Sequence, residues 1–107
     1  MILAKAPLRV SFFGGGSDIP AHFAQWGGAT ISTAIDKYVY VNVMRPFVEG
    51  IFLKYSKLEH VQAADEILHP IIREAVRMMG LRTPQIEITT LADIPSGTGL
   101  GSSSSFT

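Results

Sequence analysis

An α+β fold, a two-layer sandwich of one sheet covered by helices, is what the 107 residues predict. Strand-type and helix-type patterning alternate along the chain in the order β-β-α-β-β-α-β. The last strand candidate, Gln85 to Leu91, sets Ile86, Ile88 and Thr90 against Glu87, Thr89 and Leu91. That is the pattern of a strand buried on one face only, and it argues against the doubly buried parallel strand of a Rossmann unit. A glycine loop and the beginning of a helix follow that strand, incomplete at the C-terminus.

Ile2 to Phe13 is rich in apolar and β-favouring residues. Pro7 is expected to divide it into two short strands, and it ends in Gly14-Gly15-Gly16, a tight turn. Ile19 to Trp26 reads as a short helix, with Ile19, Phe23 and Trp26 on one side, Ser17 or Asp18 as its cap, and Gly27-Gly28 as its close. From Ala29 to Arg45 the pattern is β again, clearest where Val39, Val41 and Val43 alternate with Tyr38, Tyr40, Asn42 and Met44. Ile51 to Tyr55 follows a turn around Pro46 and Gly50, so these two strands are expected to pair as a hairpin with a moderately long loop. Pro70 suits the first position of a helix, where its missing N–H is no loss, and Gly80 suits the close. Ile71, Ile72, Ala75, Val76 and Met79 then form the stripe expected to be buried, with Arg73, Glu74 and Arg77 towards water.

Composition narrows the function classes. At 47% hydrophobic residues the chain is expected to fold as one domain. Nine Lys and Arg balance nine Asp and Glu, so no global positive charge exists to hold a nucleic acid or an anionic membrane. Any binding of phosphate must be local. The absence of cysteine removes disulfides and thiolate metal sites and fits a cytoplasmic protein. No apolar run approaches the ~18 to 20 residues of a membrane span, and the N-terminus does not read as a signal peptide. His22, His60 and His69 lack metal-ligand spacing and are expected at the surface or at helix ends. Trp26, Tyr38 and Tyr40 are expected in the core or on the sheet face rather than as a base-stacking platform.

The segment Pro95-Ser-Gly-Thr-Gly-Leu-Gly-Ser-Ser-Ser-Ser105 carries the chemistry. A phosphate group has to be approached closely, which favours glycines that free backbone N–H groups and clear side chains from the path. Gly97, Gly99 and Gly101 have that spacing. A helix starting near Ser102 would add its unsatisfied N–H groups, and the hydroxyls of Ser102 to Ser105 could bond phosphate oxygens or a magnesium ion. No lysine follows Gly101, which excludes the Walker loop, and Ser104 stands where the dinucleotide fingerprint needs glycine. A flexible glycine-serine linker is the plain alternative. Leu100 interrupts the polar run, however, and a strand leads directly into it.

These residues resemble the Pro-x-x-x-Gly-Leu-Gly-Ser-Ser-Ala/Ser loop of the GHMP kinases. A second stretch, Ala6-Pro7-Leu8-Arg9-Val10-Ser11-Phe12-Phe13-Gly14, is similar to the opening strand of that family, Ala-Pro-Gly-Arg/Lys-Val-x-Leu-x-Gly. Galactokinases continue with Gly-Glu-His-Thr-Asp where this chain has Gly14-Gly15-Gly16-Ser17-Asp18, so the Glu-His pair is absent. Gly14 to Pro20, Gly27-Gly28 and Ala34-Ile-Asp-Lys-Tyr38 look instead like the branch containing bacterial heptose-phosphate kinases.

The resemblance implies a ribosomal-protein-like N-terminal domain. It also implies ATP-dependent phosphotransfer to a hydroxyl of a sugar or sugar phosphate, with D-glycero-D-manno-heptose 7-phosphate first among acceptors and fucose, galactose or mevalonate types as alternatives. It implies ATP and Mg²⁺ as cofactors. Arg9 takes the place of a cation near the transferring phosphoryl group; a surface arginine is the alternative. Gly14, Gly15, Gly16, Ser17 and Asp18 match the acceptor-binding segment, Asp18 as a carboxylate for sugar hydroxyls or simply as a helix cap. Pro95, Gly97, Thr98, Gly99, Leu100, Gly101, Ser102, Ser103 and Ser104 match the nucleotide loop, with Ser103 also at the metal. The family's catalytic aspartate and magnesium-binding glutamate lie C-terminal to this loop. Residues 1–107 are therefore expected to be the partial N-terminal ATP-binding domain of a longer kinase, inactive alone. A non-catalytic binding module on the same scaffold is the competing class.

Overall fold

Alternation along the last strand decides which face of the sheet is buried. The computed structural model describes residues 1–80, 85–95, 97–99 and 105–106. Within it β1 (Ile2–Phe13) leads through α1 (Pro20–Trp26) to β2 (Ile31–Met44), β3 (Gly50–Lys54) and β4 (Leu58–Val61). A 3-10 turn (Ala64–Glu66), α2 (Pro70–Met78) and β5 (Gln85–Ala92) follow. The five strands form one sheet in the order β1-β2-β5-β3-β4. Only the β3–β5 pair is parallel, and the other three neighbouring pairs are antiparallel.

Register puts Ile86 beside Ile51, and Ile88 beside both Leu53 and Val43. These side chains share one face, and Ile67, Ile72 and Val76 close over it to form the core, with Val41, Val43 and Val61 packed at its margin. Leu53 is fully buried, and burying an aliphatic side chain of this size contributes about 1.5–3 kcal/mol. The opposite face is open and of mixed character, with Leu3, Met44, Leu58 and Leu91 exposed on it, and is tied by Lys54 Nζ to Glu87 at 2.7 Å and by the Arg45 guanidinium to Gln85 Oε1 at 2.9 and 3.0 Å. An α+β arrangement of one sheet with a helical layer is thus what the chain adopts.

Several elements differ from the sequence expectation. β1 runs through Pro7 as one strand, with a register shift between Pro7 and Arg9. Because β1 is an edge strand, the missing N–H of Pro7 removes no ladder bond that the sheet needs. α1 is not capped by Ser17 or Asp18: Ile19 is the N-cap residue and no side chain caps the helix. The helix buries no residue, so Ile19, Phe23 and Trp26 are all exposed. Gly27 closes it as expected, donating its N–H to Phe23.

β2 and β3 do not form a hairpin. β5 lies between them, because the antiparallel β2–β5 and parallel β3–β5 ladders bring its apolar residues onto both neighbours. On α2 the buried stripe narrows to Ile72 and Val76, while Ala75 and Met79 are exposed, since a nine-residue helix lying on one sheet hides only its central line. Pro70 does open this helix, and Gly80 follows its end with φ +58°.

Candidate phosphate and acceptor site

β1 organises the candidate site. Its Pro7 is paired with Tyr38 of β2, and the Pro7 carbonyl accepts a hydrogen bond from Ser105 Oγ at 2.9 Å. Asp93, just past β5, donates its N–H to the Tyr38 carbonyl at 3.0 Å. The segment that leaves β5 therefore departs from, and at Ser105 returns to, one row across three strands. Strand spacing makes that row about 10 Å wide.

Within this segment Gly97 and Gly99 have φ of +83° and +75°, and a Cβ on either would meet nothing within 4 Å among the described residues. Glycine serves backbone shape at these two positions. Thr98 Oγ1 donates to the Pro95 carbonyl at 3.4 Å and tightens the bend. Leu100, Gly101, Ser102, Ser103 and Ser104 lie outside the described residues.

Beside the segment opens a cleft of about 600 Å³, whose lining includes Tyr55, His69, Ile71, Thr90, Pro95 and Phe106. His69 sits at the N-cap of α2, as expected for a helix-end residue, its Nδ1 accepting from the Ile72 N–H at 3.4 Å. Its ring stands edge-on to Tyr55 and tilted against Phe106. Tyr55 is held in turn by Glu59, to which its hydroxyl donates at 2.5 Å; Glu59 also accepts from the Leu68 N–H at 2.9 Å. Hydrogen bonding to Glu59, followed by burial, pushes the Tyr55 hydroxyl up to about 12. Burial works to raise Glu59, but the Tyr55 hydroxyl and the N–H groups of Leu68 and His69 outweigh it and hold the carboxyl below its ordinary range.

Arg9 follows Pro7 by two residues on β1 and precedes Gly14 by five, about 7 Å and about 17 Å along an extended chain. It is half-buried and makes no ion pair among the described residues. Beyond it Gly14 turns the chain at φ +92° against Ala29 and Thr30. A second, smaller cleft of about 360 Å³ is lined by Ser17, Asp18, Phe23, Gly27 to Ala29 and Thr30. Ser17 Oγ is buried there with no hydrogen-bond partner among the described residues. Gly15 and Gly16 are exposed. Asp18 is also exposed; its N–H donates to the Gly15 carbonyl at 3.1 Å and its side chain caps nothing. Arg9 thus stands between the glycine segment and the Gly14 turn on a single strand.

Sequence reasoning did not assign Asp93, Tyr55, His69 or Phe106 to the site. Only Asp93 left a trace, as an acidic residue at the end of a strand directly before Ile94-Pro95. Tyr38 and Tyr40 lie on the sheet face as expected, with Lys5 Nζ 3.7 Å from the centre of the Tyr38 ring. Trp26 is on the surface, so the core placement considered for it does not hold. His60 stacks on Phe52, with ring centres 4.1 Å apart. No cluster of three metal-ligating side chains occurs among the described residues, and no helix there is long and apolar enough to cross a membrane.

No family model matches the chain. Homoserine kinase from Thermus thermophilus is 32% identical over 88 residues, which is 80% of this chain and 30% of that protein. Among solved structures, a D-glycero-D-manno-heptose 1-phosphate kinase from Bacteroides thetaiotaomicron superimposes with a TM-score of 0.80 at 24% identity, over 94% of this chain and 37% of that one. Mevalonate kinase from Methanococcus jannaschii gives 0.69 at 20% identity, over 97% and 36%. The chain therefore spans about a third of the length of the proteins it matches.

The fold is that of the N-terminal domain of a small-molecule kinase. The neighbours in structure and the homoserine kinase relative are GHMP kinases, and this chain shares the fold of their N-terminal domain.

Proposed function

We propose that these residues are the N-terminal part of a longer protein and that this full chain is an ATP-dependent kinase that transfers a phosphoryl group to a hydroxyl of a sugar or sugar phosphate, with D-glycero-D-manno-heptose 7-phosphate as the first acceptor to test. One observation carries the reading. β1 holds, in order, the anchor of the glycine segment at Pro7, the half-buried Arg9 without an ion pair among the described residues, and the Gly14 turn beside the Ser17–Asp18 cleft. That order, with donor phosphates, transferring group and acceptor met in turn, is compatible with in-line displacement.

In this reading the backbone at Gly97 and Gly99 faces the nucleotide phosphates, and the cleft at Tyr55, His69 and Phe106 is wide enough for the remainder of the nucleotide. Arg9 offsets charge that spreads over the equatorial oxygens in the transition state. Asp18 and the unpartnered Ser17 hydroxyl orient acceptor hydroxyls. Bound Mg²⁺ would neutralise charge between the β- and γ-phosphates. Its assignment to Ser103 rests on the motif, since that residue lies outside the described ones.

The homoserine kinase relative favours a second acceptor, the hydroxyl of an amino acid. Steady-state kinetics on the full chain separates the readings. Heptose 7-phosphate, fucose, galactose, mevalonate and homoserine are offered in turn, with Arg9→Ala and Ser103→Ala alongside. Each substitution is expected to lower kcat about 100-fold, the scale of losing one group that stabilises transition-state charge. Retention of activity within a few-fold by both variants would overturn the site assignment.

A further inference from the structure

The β2–β5 ladder ends in an unusual way. Its last backbone register pair is Val39 with Ala92. One step further, Tyr38 and Asp93 stand opposite each other, and an antiparallel hydrogen-bonded pair would exchange two backbone bonds there. Only one of them is a backbone bond: the Asp93 N–H donates to the Tyr38 carbonyl at 3.0 Å. The other is supplied by a side chain, with the Tyr38 N–H donating to Asp93 Oδ2 at 2.9 Å. The same carboxylate oxygen receives the Tyr40 hydroxyl at 3.5 Å.

We propose that Asp93 is the positioning residue of the glycine segment: its carboxylate replaces the ladder carbonyl, ends β5 at Tyr38, and fixes where the chain leaves the sheet towards Gly97 and Gly99. The substitution frees the Asp93 backbone carbonyl from the ladder, so the chain can turn away without orphaning the Tyr38 N–H. Pro95 reinforces the departure. It has no N–H with which to resume pairing, and it biases Ile94 towards extended backbone. The return point is set on the same row, because Tyr38 is paired with Pro7, whose carbonyl holds Ser105. Departure and return of the segment are therefore both referred to Tyr38.

The required chemistry is narrow. An oxygen acceptor one carbon from Cβ is needed, which Asp and Asn supply and Ala does not. Charge is not needed, so Asn preserves the bond to the Tyr38 N–H. A direct contact between the carboxylate and a ligand would instead be sensitive to that change.

This inference rests on the nucleotide reading of residues 95–99, and its test separates the two. In the full chain, ADP affinity is measured by calorimetry, together with KM for ATP and for the acceptor, for Asp93→Ala, Asp93→Asn and Gly99→Ala. Asp93→Ala is expected to weaken ADP about tenfold with the acceptor KM within twofold, and Asp93→Asn to stay within about threefold of wild type on every readout. Gly99→Ala, which places a Cβ at φ +75°, is expected to weaken ADP at least as much.

If Gly99→Ala lowers ADP affinity and Asp93→Ala does not, the positioning role is wrong while the nucleotide reading stands. If neither matters, both fail. Equal damage from Asn and Ala would also overturn the positioning role. Should Asp93→Ala not fold, amide exchange in the wild-type protein reads the same bond directly. The Tyr38 N–H is expected to be protected at least tenfold over the exposed N–H of Gly16, and equal exchange would refute the proposal.

Discussion

Replacing Gly14 by alanine tests the turn at the end of β1 in two ways at once. The residue has φ +92°, where an L side chain costs about 1–2 kcal/mol. A Cβ built there would also lie 2.3 Å from the Ala29 carbonyl oxygen and 2.7 Å from Thr30 Cα. Those neighbours are backbone, so they cannot rotate away, and relieving such an overlap costs about a further 1–3 kcal/mol. The expected loss is therefore about 2–5 kcal/mol, a large part of the ~5–15 kcal/mol that holds a domain together.

Gly15 is the internal control. Its φ is +90°, but a Cβ there meets nothing within 4 Å, so only the conformational cost of about 1–2 kcal/mol applies. Urea denaturation followed by circular dichroism gives both values. A Gly14→Ala loss no larger than that of Gly15→Ala would refute the close approach of the turn to Ala29 and Thr30. In the full chain the same variant should raise the acceptor KM more than the ATP KM, because the displaced backbone lines the Ser17–Asp18 cleft.

Further expectations concern the core and the buried carboxylate. Leu53→Ala, at a fully buried core position on β3, should cost about 2–5 kcal/mol in the same denaturation assay. Glu59 is held below its ordinary range in the folded protein, so its contribution is present above the unfolded carboxyl pKa and is lost as pH falls through the folded value. A urea series below pH 5 should show a steeper loss for wild type than for Glu59→Gln. Tyr55 behaves in the opposite sense. Its stabilisation is complete below the unfolded value near 10 and disappears as pH rises towards about 12, a dependence that Tyr55→Phe should remove.

Much of the fold was legible because its signals are local. Pro70 and Gly80 bracket α2, and the alternation of Ile86 and Ile88 shows which face of β5 is buried. Sheet order was not legible. Ile51 to Leu53 follows β2 in sequence and looks like its partner, but the pairing is decided by β5, which arrives more than 30 residues later and inserts between them. β4 was missed because Leu58–Val61 has four residues and alternates around a buried glutamate instead of an apolar side chain. The strand through Pro7 was misjudged because edge position, which makes a proline tolerable, is a property of the assembled sheet.

The candidate site divides along the same line. Arg9, the Gly14 to Asp18 turn and the glycine segment stand out as motifs, each within a short stretch of chain. What joins them does not. The bond from Ser105 to Pro7 spans 98 positions and that from Tyr38 to Asp93 spans 55. Asp18 illustrates the difference: its sequence position suits a helix cap, yet the helix begins after Ile19 and leaves the carboxylate exposed beside the cleft.

Phosphorus NMR of the full chain incubated with ATP, Mg²⁺ and heptose 7-phosphate tests the central claim most directly. The account predicts that ATP signals give way to ADP together with a new phosphate ester on the acceptor, and that Arg9→Ala slows this conversion about 100-fold while the protein remains folded. Absence of any new ester with heptose 7-phosphate, the other sugars, mevalonate and homoserine, from a folded protein that consumes no ATP, would contradict it.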